Sequence, residues 1–345
     1  PDLLARYADT FLKATAKEAD IADMSVDLLM IIFKFLDDKD AFEEYYRRLL
    51  AKRLINLNTK LDELEEGIIQ RLQEENSLEY TLKMTKMFQD MKASEDLKGP
   101  VKAEMQHDTA VRDFTPLVLA NLMWPMKHLE EYNLNISPEL QPVLTKLEDI
   151  YHQKHNGRLL QWLWNHGKLE VKANLLRKGK PPFLFTVLNV QLMILMAFNH
   201  KKTYTLDELH DVVGTSRYIF ELHLLPFTKY KLIEVDNGRY TMVDEYKLKK
   251  LRVNFLLLIK LETKQEDDEA YKEIDETRKN YLSACIVRIM KARKQMKHNE
   301  LVNEVATQAL LRFRARIIDI KRVIDHLIEG EYLRRVLNDT YEYLA

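Results

Sequence analysis

Apolar residues enter the chain at spacings of three and four. In LLARYADTFLKAT, Leu3, Leu4, Tyr7, Phe11 and Leu12 fall on one stripe of a helix. The same period runs through SVDLLMIIFKFLDDKDAFEEYYRRLLAKRLI (25–55) and KLDELEEGIIQRLQEENSLEYTLKMTKMFQDM (60–91). Ser25 is a candidate N-cap for the second helix, and Asp37, Asp38, Lys39 and Asp40 mark the turn into the third. Several long amphipathic helices in succession predict a helical bundle over 1–155. Tyr45, Tyr46, Met84, Met87 and Met91 read as packing residues within it.

The period then changes. GRLLQWLWNHGKLEVKANL (157–175) holds two short strand-like runs around Asn165, His166 and Gly167, a hairpin signal. Pro181 and Pro182 precede FLFTVLNVQLMILMAF (183–198), which reads as a strand running into a buried helix. Residues 204–243 give helix, turn, helix and a hairpin at Asp236, Asn237 and Gly238, with Thr205 as N-cap ahead of Asp207 and Glu208. That is a winged-helix pattern. KKLRVNFLLLIK (249–260) predicts a strand returning to the earlier sheet. ETKQEDDEAYKEIDE (262–276) is acidic, lacks a sustained apolar stripe and reads as a linker. From Tyr281 the winged-helix pattern recurs, closing on two short strands around Asn338 and Asp339. The predicted fold class is mainly α with α+β. It has a four-helix bundle (1–155) and a small α/β sheet unit (156–260) with an inserted winged helix at about 203–245. A linker (261–278) then leads to a C-terminal winged helix (279–345).

Composition narrows the function classes. With 345 residues the length predicts two or three domains. The formal net charge of -1 disfavours nucleic acid as a partner for the whole chain. Residues 281–345 do hold 12 Lys+Arg against 8 Asp+Glu. Yet the predicted third helix of that unit carries Asp319, Asp325, Glu329 and Glu331, and these would repel phosphates. A winged-helix nucleic-acid-binding regulator is therefore the runner-up reading. No apolar run reaches about 18 residues, so no membrane span is expected. The lone Cys285 excludes an internal disulfide and a multi-cysteine zinc site. It reads as a small buried hydrophobe, with nucleophile as the alternative. Eight glycines, with no Gly-rich phosphate loop among them, argue against nucleotide chemistry. Their scarcity also points to a sequence edited for rigidity.

One stretch concentrates cations: ACIVRIMKARKQMKHNELV (284–302), with Arg288, Lys291, Arg293, Lys294 and Lys297. On a helical wheel Ile286, Val287, Ile289 and Met290 share an arc, and Lys291 falls roughly 130° from its centre. An exposed lysine there is either part of an ordinary solvated basic face or an acceptor presented for acylation or ubiquitin-type conjugation.

These residues resemble the C-terminal signature of the cullin family, the scaffolds of multisubunit RING ubiquitin ligases. IVRIMKARK matches the segment with the lysine that receives the ubiquitin-like neddylation modifier. LLARYADTFLK, FKFLDDKDAFEEYYRRLLAKRLI, MFQDMKASEDL, HNGRLLQWLW, KKLRVNF, IDETRKNYLSACIVRIMKARK and the terminal TYEYLA look like cullin segments in cullin order. The resemblance is strongest to the cullins of F-box complexes. NTKLDELEEGIIQRLQEENSLEY stands where a serine-rich stretch is usual and reads as plain helix, consistent with a redesigned domain.

The resemblance implies a non-catalytic scaffold, cytoplasmic and nuclear, modified at Lys291 with Arg288, Arg293 and Lys294 flanking. It implies a RING-box protein whose strand joins the α/β sheet near Leu159, Trp162, Leu169, Val171, Phe185, Val253 and Phe255. It implies a basic patch of Lys247, Lys249, Lys250 and Arg252 for a ubiquitin-conjugating enzyme. Further partners so implied are the neddylation-conjugating enzyme, the cullin exchange factor and the signalosome. No cofactor is implied for this chain, zinc being held in the RING-box partner.

Overall fold

A computed structural model describes residues 1–14, 19–56, 62–104, 114–175, 181–246, 250–256, 262–337 and 339–344. They form two compact units: 1–92 with 117–125 and 263–345, and 93–116 with 126–262.

In the first unit α1 (Asp2–Ala14), α2 (Ala19–Lys34), α3 (Lys39–Ile55), α4 (Asp62–Glu75) and the start of α5 (Leu78–Glu104) make the predicted bundle. Leu12, Leu29, Phe33, Phe42, Tyr46, Leu50, Ile68, Leu72, Met84 and Met87 are fully buried, as the 3–4 spacing requires. Ser25 is not a cap; it lies inside α2, whose apolar pattern extends N-terminally past it. The helical reading of 1–155 also fails over 114–140, where only a 3-10 turn (Glu130–Tyr132) precedes α6 (Gln141–Lys154). This stretch is anchored by single bonds instead: Trp124 Nε1 and the Ala120 amide both donate to Asp90 Oδ2, at 2.9 and 2.8 Å.

The bundle interior holds ions. Arg53 is almost fully buried and pairs with Asp9 of α1 at 2.6 Å and with Glu65 of α4, while the Tyr46 hydroxyl donates to Glu65 at 2.7 Å. Arg47, equally buried, pairs with Glu44, and Glu44 also accepts from Arg48 at 2.7 Å. Burial alone would raise the Glu44 carboxyl, but the two guanidiniums outweigh it and hold it below the usual range. Glu43 shows the opposite balance. Burial pushes its carboxyl up to about 7 even though Arg47 Nε stands 3.8 Å away. A raised carboxyl pKa means the folded chain binds more protons than the unfolded chain between pH about 4.5 and 7, so this group's contribution to stability falls as pH rises through that window. Glu43→Gln is expected to leave stability near wild type at pH 4 and to exceed it at pH 8, by at most about 3 kcal/mol. Urea unfolding at the two pH values measures it; equal gains at both would contradict the assignment.

The second unit contains a three-stranded sheet of order β1–β2–β6, from β1 (Leu169–Ala173), β2 (Phe183–Val187) and β6 (Arg252–Asn254). β1 runs antiparallel and β6 parallel to β2. The inner face of β2 (Phe183, Phe185, Val187) is buried with Val190, Met193, Ile194 and Ala197 of α7 (Asn189–His200). Between α7 and β6 the chain makes the inserted winged helix: β3 (Thr203–Thr205), α8 (Leu206–Val213), α9 (Arg217–Lys229), β4 (Ile233–Asp236) and β5 (Arg239–Met242). Thr205 caps α8 as predicted, its hydroxyl accepting from the Glu208 amide and the Glu208 carboxylate accepting in return. The first strand-like run, 158–163, forms no strand; Trp162 turns away to donate to Glu148 at 2.8 Å and to stack on Trp164.

The segment 262–276 is a correction. It is not a linker but the first half of α10 (Glu262–Arg293), which continues unbroken into the C-terminal winged helix. Among its described side chains Ala270 and Ile274 are the buried ones, too sparse a stripe to register as amphipathic. Thereafter β7 (Gln295–Lys297), α11 (His298–Ala309), α12 (Ile317–Glu329), β8 (Leu333–Val336) and β9 (Thr340–Tyr343) repeat the element order of the first winged helix.

The repetition extends to the backbone. Lys231 and Glu331 follow α9 and α12 with φ of 56° and 59°, and Asn237 and Asp339 turn the two hairpins with φ of 48° and 52°. A side chain in this left-handed region costs about 1–2 kcal/mol that glycine avoids, offset in part by glycine's larger entropy loss. Lys231→Gly and Glu331→Gly are each expected to stabilise the protein by up to about 1 kcal/mol in denaturant unfolding.

Candidate functional site

The basic stretch is the end of a helix seated on a packed core. Leu282, Cys285, Ile286, Ile289 and Met290 of α10 are buried against Leu301, Val302 and Val305 of α11 and Ile320, Val323, Ile324 and Leu327 of α12. Cys285 is thus a core residue; burial raises its thiol pKa, which leaves it a poor nucleophile. The outer side of α10 carries the cations, and cations in the last turn suit the helix dipole.

Four of those cations have different fates. Arg288 donates to Gln308 Oε1 at 2.8 Å, and Arg293 reaches Glu304 at 3.4 Å, both on α11. Lys294 leaves the helix at φ 66° with its ammonium 5.3 Å from the centre of the Tyr343 ring. Its carbonyl accepts from the Tyr343 amide at 2.9 Å, which ties the helix end to β9. Lys291 is exposed, and no hydrogen bond, ion pair or ring contact holds its ammonium among the described residues. The arrangement offers a free amine near the end of the helix while Arg288, Arg293 and Lys294 are held; Lys297, on β7 beyond the helix, is likewise exposed and without a partner among the described residues.

The residues expected to line a partner strand separate into two groups. Val171, Phe185 and Val253 lie in register across the sheet. Phe185, Val253 and Phe255, however, are buried; Phe255 packs on Phe185 and Phe227 at ring distances of 5.2 and 4.8 Å. Their side chains belong to the core and meet no partner. Leu169 and Val171 on β1 are half-buried, Leu159 is 95% exposed, and Trp162 packs beside Val101, Val143 and Leu147. Among the described residues β1 pairs only with β2, so its other edge presents open main-chain groups. Of the basic patch, Lys250 is exposed, Arg252 is exposed but pairs with Glu170 at 3.0 Å, and Lys247 and Lys249 lie outside the described residues. No group of three or more His, Cys, Asp or Glu is placed to hold a metal among the described residues. No helix among them is long and apolar enough to cross a membrane.

A cluster that the sequence did not announce lies at the start of α3. Arg278 of α10 forks onto Asp40, at 2.6 and 2.8 Å, and reaches Asp38 at 3.0 Å. The Arg312 carbonyl, from the turn after α11, accepts from the amides of Lys39 and Asp40 at 3.0 and 3.2 Å. Nothing in the residue pattern pairs positions 240 apart; only the acidic run 37–40 and an arginine in an acidic segment could have hinted at it.

Comparison with known proteins gives three family matches in order: the cullin alpha solenoid domain over residues 1–98, the cullin alpha+beta domain over 118–254 and the cullin protein neddylation domain over 277–339. Cell division control protein 53 of Saccharomyces cerevisiae is 40% identical over 382 residues, which take in 100% of this chain and 46% of that protein. Cullin-1 of Schizosaccharomyces pombe is 37% identical over 355 residues, again 100% of this chain and 46% of the relative. The chain spans about half the length of the curated relatives it matches. A solved chain described as "A Dual E3 Mechanism for Rub1 Ligation to Cdc53: Dcn1(P)-Cdc53(WHB)" is 46% identical, covers 23% of this chain and 94% of its own length, and aligns with a TM-score of 0.23.

Proposed function

Because the chain belongs to the cullin family and carries its neddylation domain, we propose that it is the non-catalytic scaffold part of a cullin–RING ubiquitin ligase, with Lys291 as the acceptor of the ubiquitin-like modifier. The observation that carries this reading is the free, exposed ammonium of Lys291 in the last turn of α10, where Arg288, Arg293 and Lys294 are tied down. An amine becomes an acceptor when a charged thioester on a partner enzyme can reach it. The scaffold's contribution is therefore position, raising the effective concentration of amine and thioester.

The RING-box protein is the partner that would bring such an enzyme. Its strand would add to the open edge of β1, where main-chain bonds supply affinity without needing the buried Phe185, Val253 or Phe255. Lys250 and Arg252, with Lys247 and Lys249 adjoining in sequence, would attract an acidic tail of the conjugating enzyme. The Arg252–Glu170 pair is solvent-exposed, so little energy opposes its exchange for another carboxylate. Mixing the chain with a RING-box protein should give a one-to-one complex by size-exclusion chromatography with light scattering. Amide exchange over 169–173 should slow in that complex. Separate elution of the two proteins would overturn the scaffold reading.

A further inference from the structure

We propose that the C-terminal winged helix is held on the helical bundle by an exchangeable cap on α3, with Asp38 as the residue that changes roles. The first amides of a helix lack partners within it and are usually satisfied by the N-cap side chain. Asp38 is the N-cap residue of α3 and an aspartate, a preferred capping type, yet its side chain makes no cap bond. Its backbone, at φ -103° and ψ 70°, lies off the extended conformation that a self-capping residue adopts. Its carboxylate is claimed by Arg278, and the amides of Lys39 and Asp40 bond instead to the Arg312 carbonyl, supplied from far along the chain. The winged helix therefore acts as the cap.

The surroundings make the docked arrangement specific. The Arg278 guanidinium lies 4.7 Å from the Phe313 ring centre, and that of Arg312 lies 5.0 Å from Tyr281. Arg312 also pairs with Glu79 of α5 at 2.8 Å, and Arg314 stands 3.9 Å from Asp37. Release of the winged helix would free the Asp38 carboxylate and expose the α3 amides in one event. Asp38 can then turn back and accept from the amides of Asp40 and Ala41, as a self-capped helix does. Each state satisfies two of the first three amides of α3, so docking trades one cap for another and can switch without unfolding the helix.

The test is residue-resolved amide exchange on the full chain as wild type, Arg278→Gln, Arg278→Lys, Asp38→Ala and the Asp38→Ala/Arg278→Gln double variant. Arg278→Gln should speed exchange at Lys39 by roughly tenfold or more, the scale of one lost charge-assisted fork. Asp40 should change by less than about threefold, because Asp38 takes it over. The double variant should release both Lys39 and Asp40, and Asp38→Ala alone should stay near wild type because Arg312 still caps the helix. Arg278→Lys keeps the charge without the fork and should fall between wild type and Arg278→Gln. It carries the test if Arg278→Gln does not fold. Unchanged exchange at Lys39 in the Arg278 variants would overturn the proposal. So would equal release of Lys39 and Asp40 in Arg278→Gln with no added effect of Asp38→Ala.

Discussion

Arg53→Leu is expected to lower the free energy of unfolding by about 3–5 kcal/mol, the largest loss of stability foreseen for any single side chain here. Leucine fills much of the same space, so the cost is not a cavity. It comes from Asp9 and Glu65, which Arg53 binds across three helices, and from the Tyr46 hydroxyl that shares Glu65. With the guanidinium gone, Glu65 remains buried at 2% exposure without a compensating charge. Burial alone would depress the Arg53 pKa, but the surrounding Glu65, Tyr46 and Asp9 raise it, so the guanidinium stays charged. Two controls separate electrostatics from packing. Arg53→Leu combined with Asp9→Asn and Glu65→Gln should recover more than about half of the loss, since an apolar residue among neutral groups avoids the buried-charge penalty. Arg53→Lys should recover less, because an ammonium cannot reproduce bonds to two carboxylates on opposite sides. Denaturant unfolding measures all three, and a loss below about 1 kcal/mol in Arg53→Leu would contradict the account.

Lys291→Arg is expected to abolish modification of this chain, with an initial rate at least about a hundredfold below wild type, because a guanidinium that stays protonated is no nucleophile. Arginine keeps the charge and the helix propensity, so α10 and its buried face are unaffected. Lys294→Arg and Lys297→Arg should stay within about threefold of wild type, since an arginine over the Tyr343 ring retains the cation–π contact and Lys297 lies on β7 beyond the helix end. Gel-based initial rates read the difference. Comparable losses in all three variants would mean that the basic face as a whole, and not one amine, is recognised.

Much of the fold was legible because it depends on local periodicity. The bundle helices, the two winged helices and the Thr205 cap each follow from spacing or from one capping pair, as does the Asn237–Gly238 turn. What failed depended on distant partners. Residues 262–276 looked like a linker because, among the described side chains there, α10 buries just Ala270 and Ile274, and the pair of Glu273 with Arg48 at 2.8 Å joins residues 225 positions apart. Ser25 looked like a cap because capping residues also occur inside helices when the apolar stripe continues past them. The basic segment around Lys291 was legible as an amphipathic helix end. That Lys291 alone among Arg288, Lys291, Arg293 and Lys294 is left unpartnered was not, because Gln308, Glu304 and Tyr343 come from α11 and β9. The strand-lining set mixed core and edge: the resemblance grouped Phe185 with Leu169 and Val171, but β2 buries Phe185 while the two β1 residues stay half-buried.

The most direct test of the central claim is site mapping after conjugation. The chain is incubated with the neddylation modifier and its activating and conjugating enzymes, with and without a RING-box protein, and the products are digested and sequenced by mass spectrometry. The account predicts one adduct per chain, dependent on the RING-box protein, with the isopeptide bond on the Lys291 Nζ. Adducts spread over several lysines, or an adduct on another lysine that forms equally well without the RING-box protein, would contradict it.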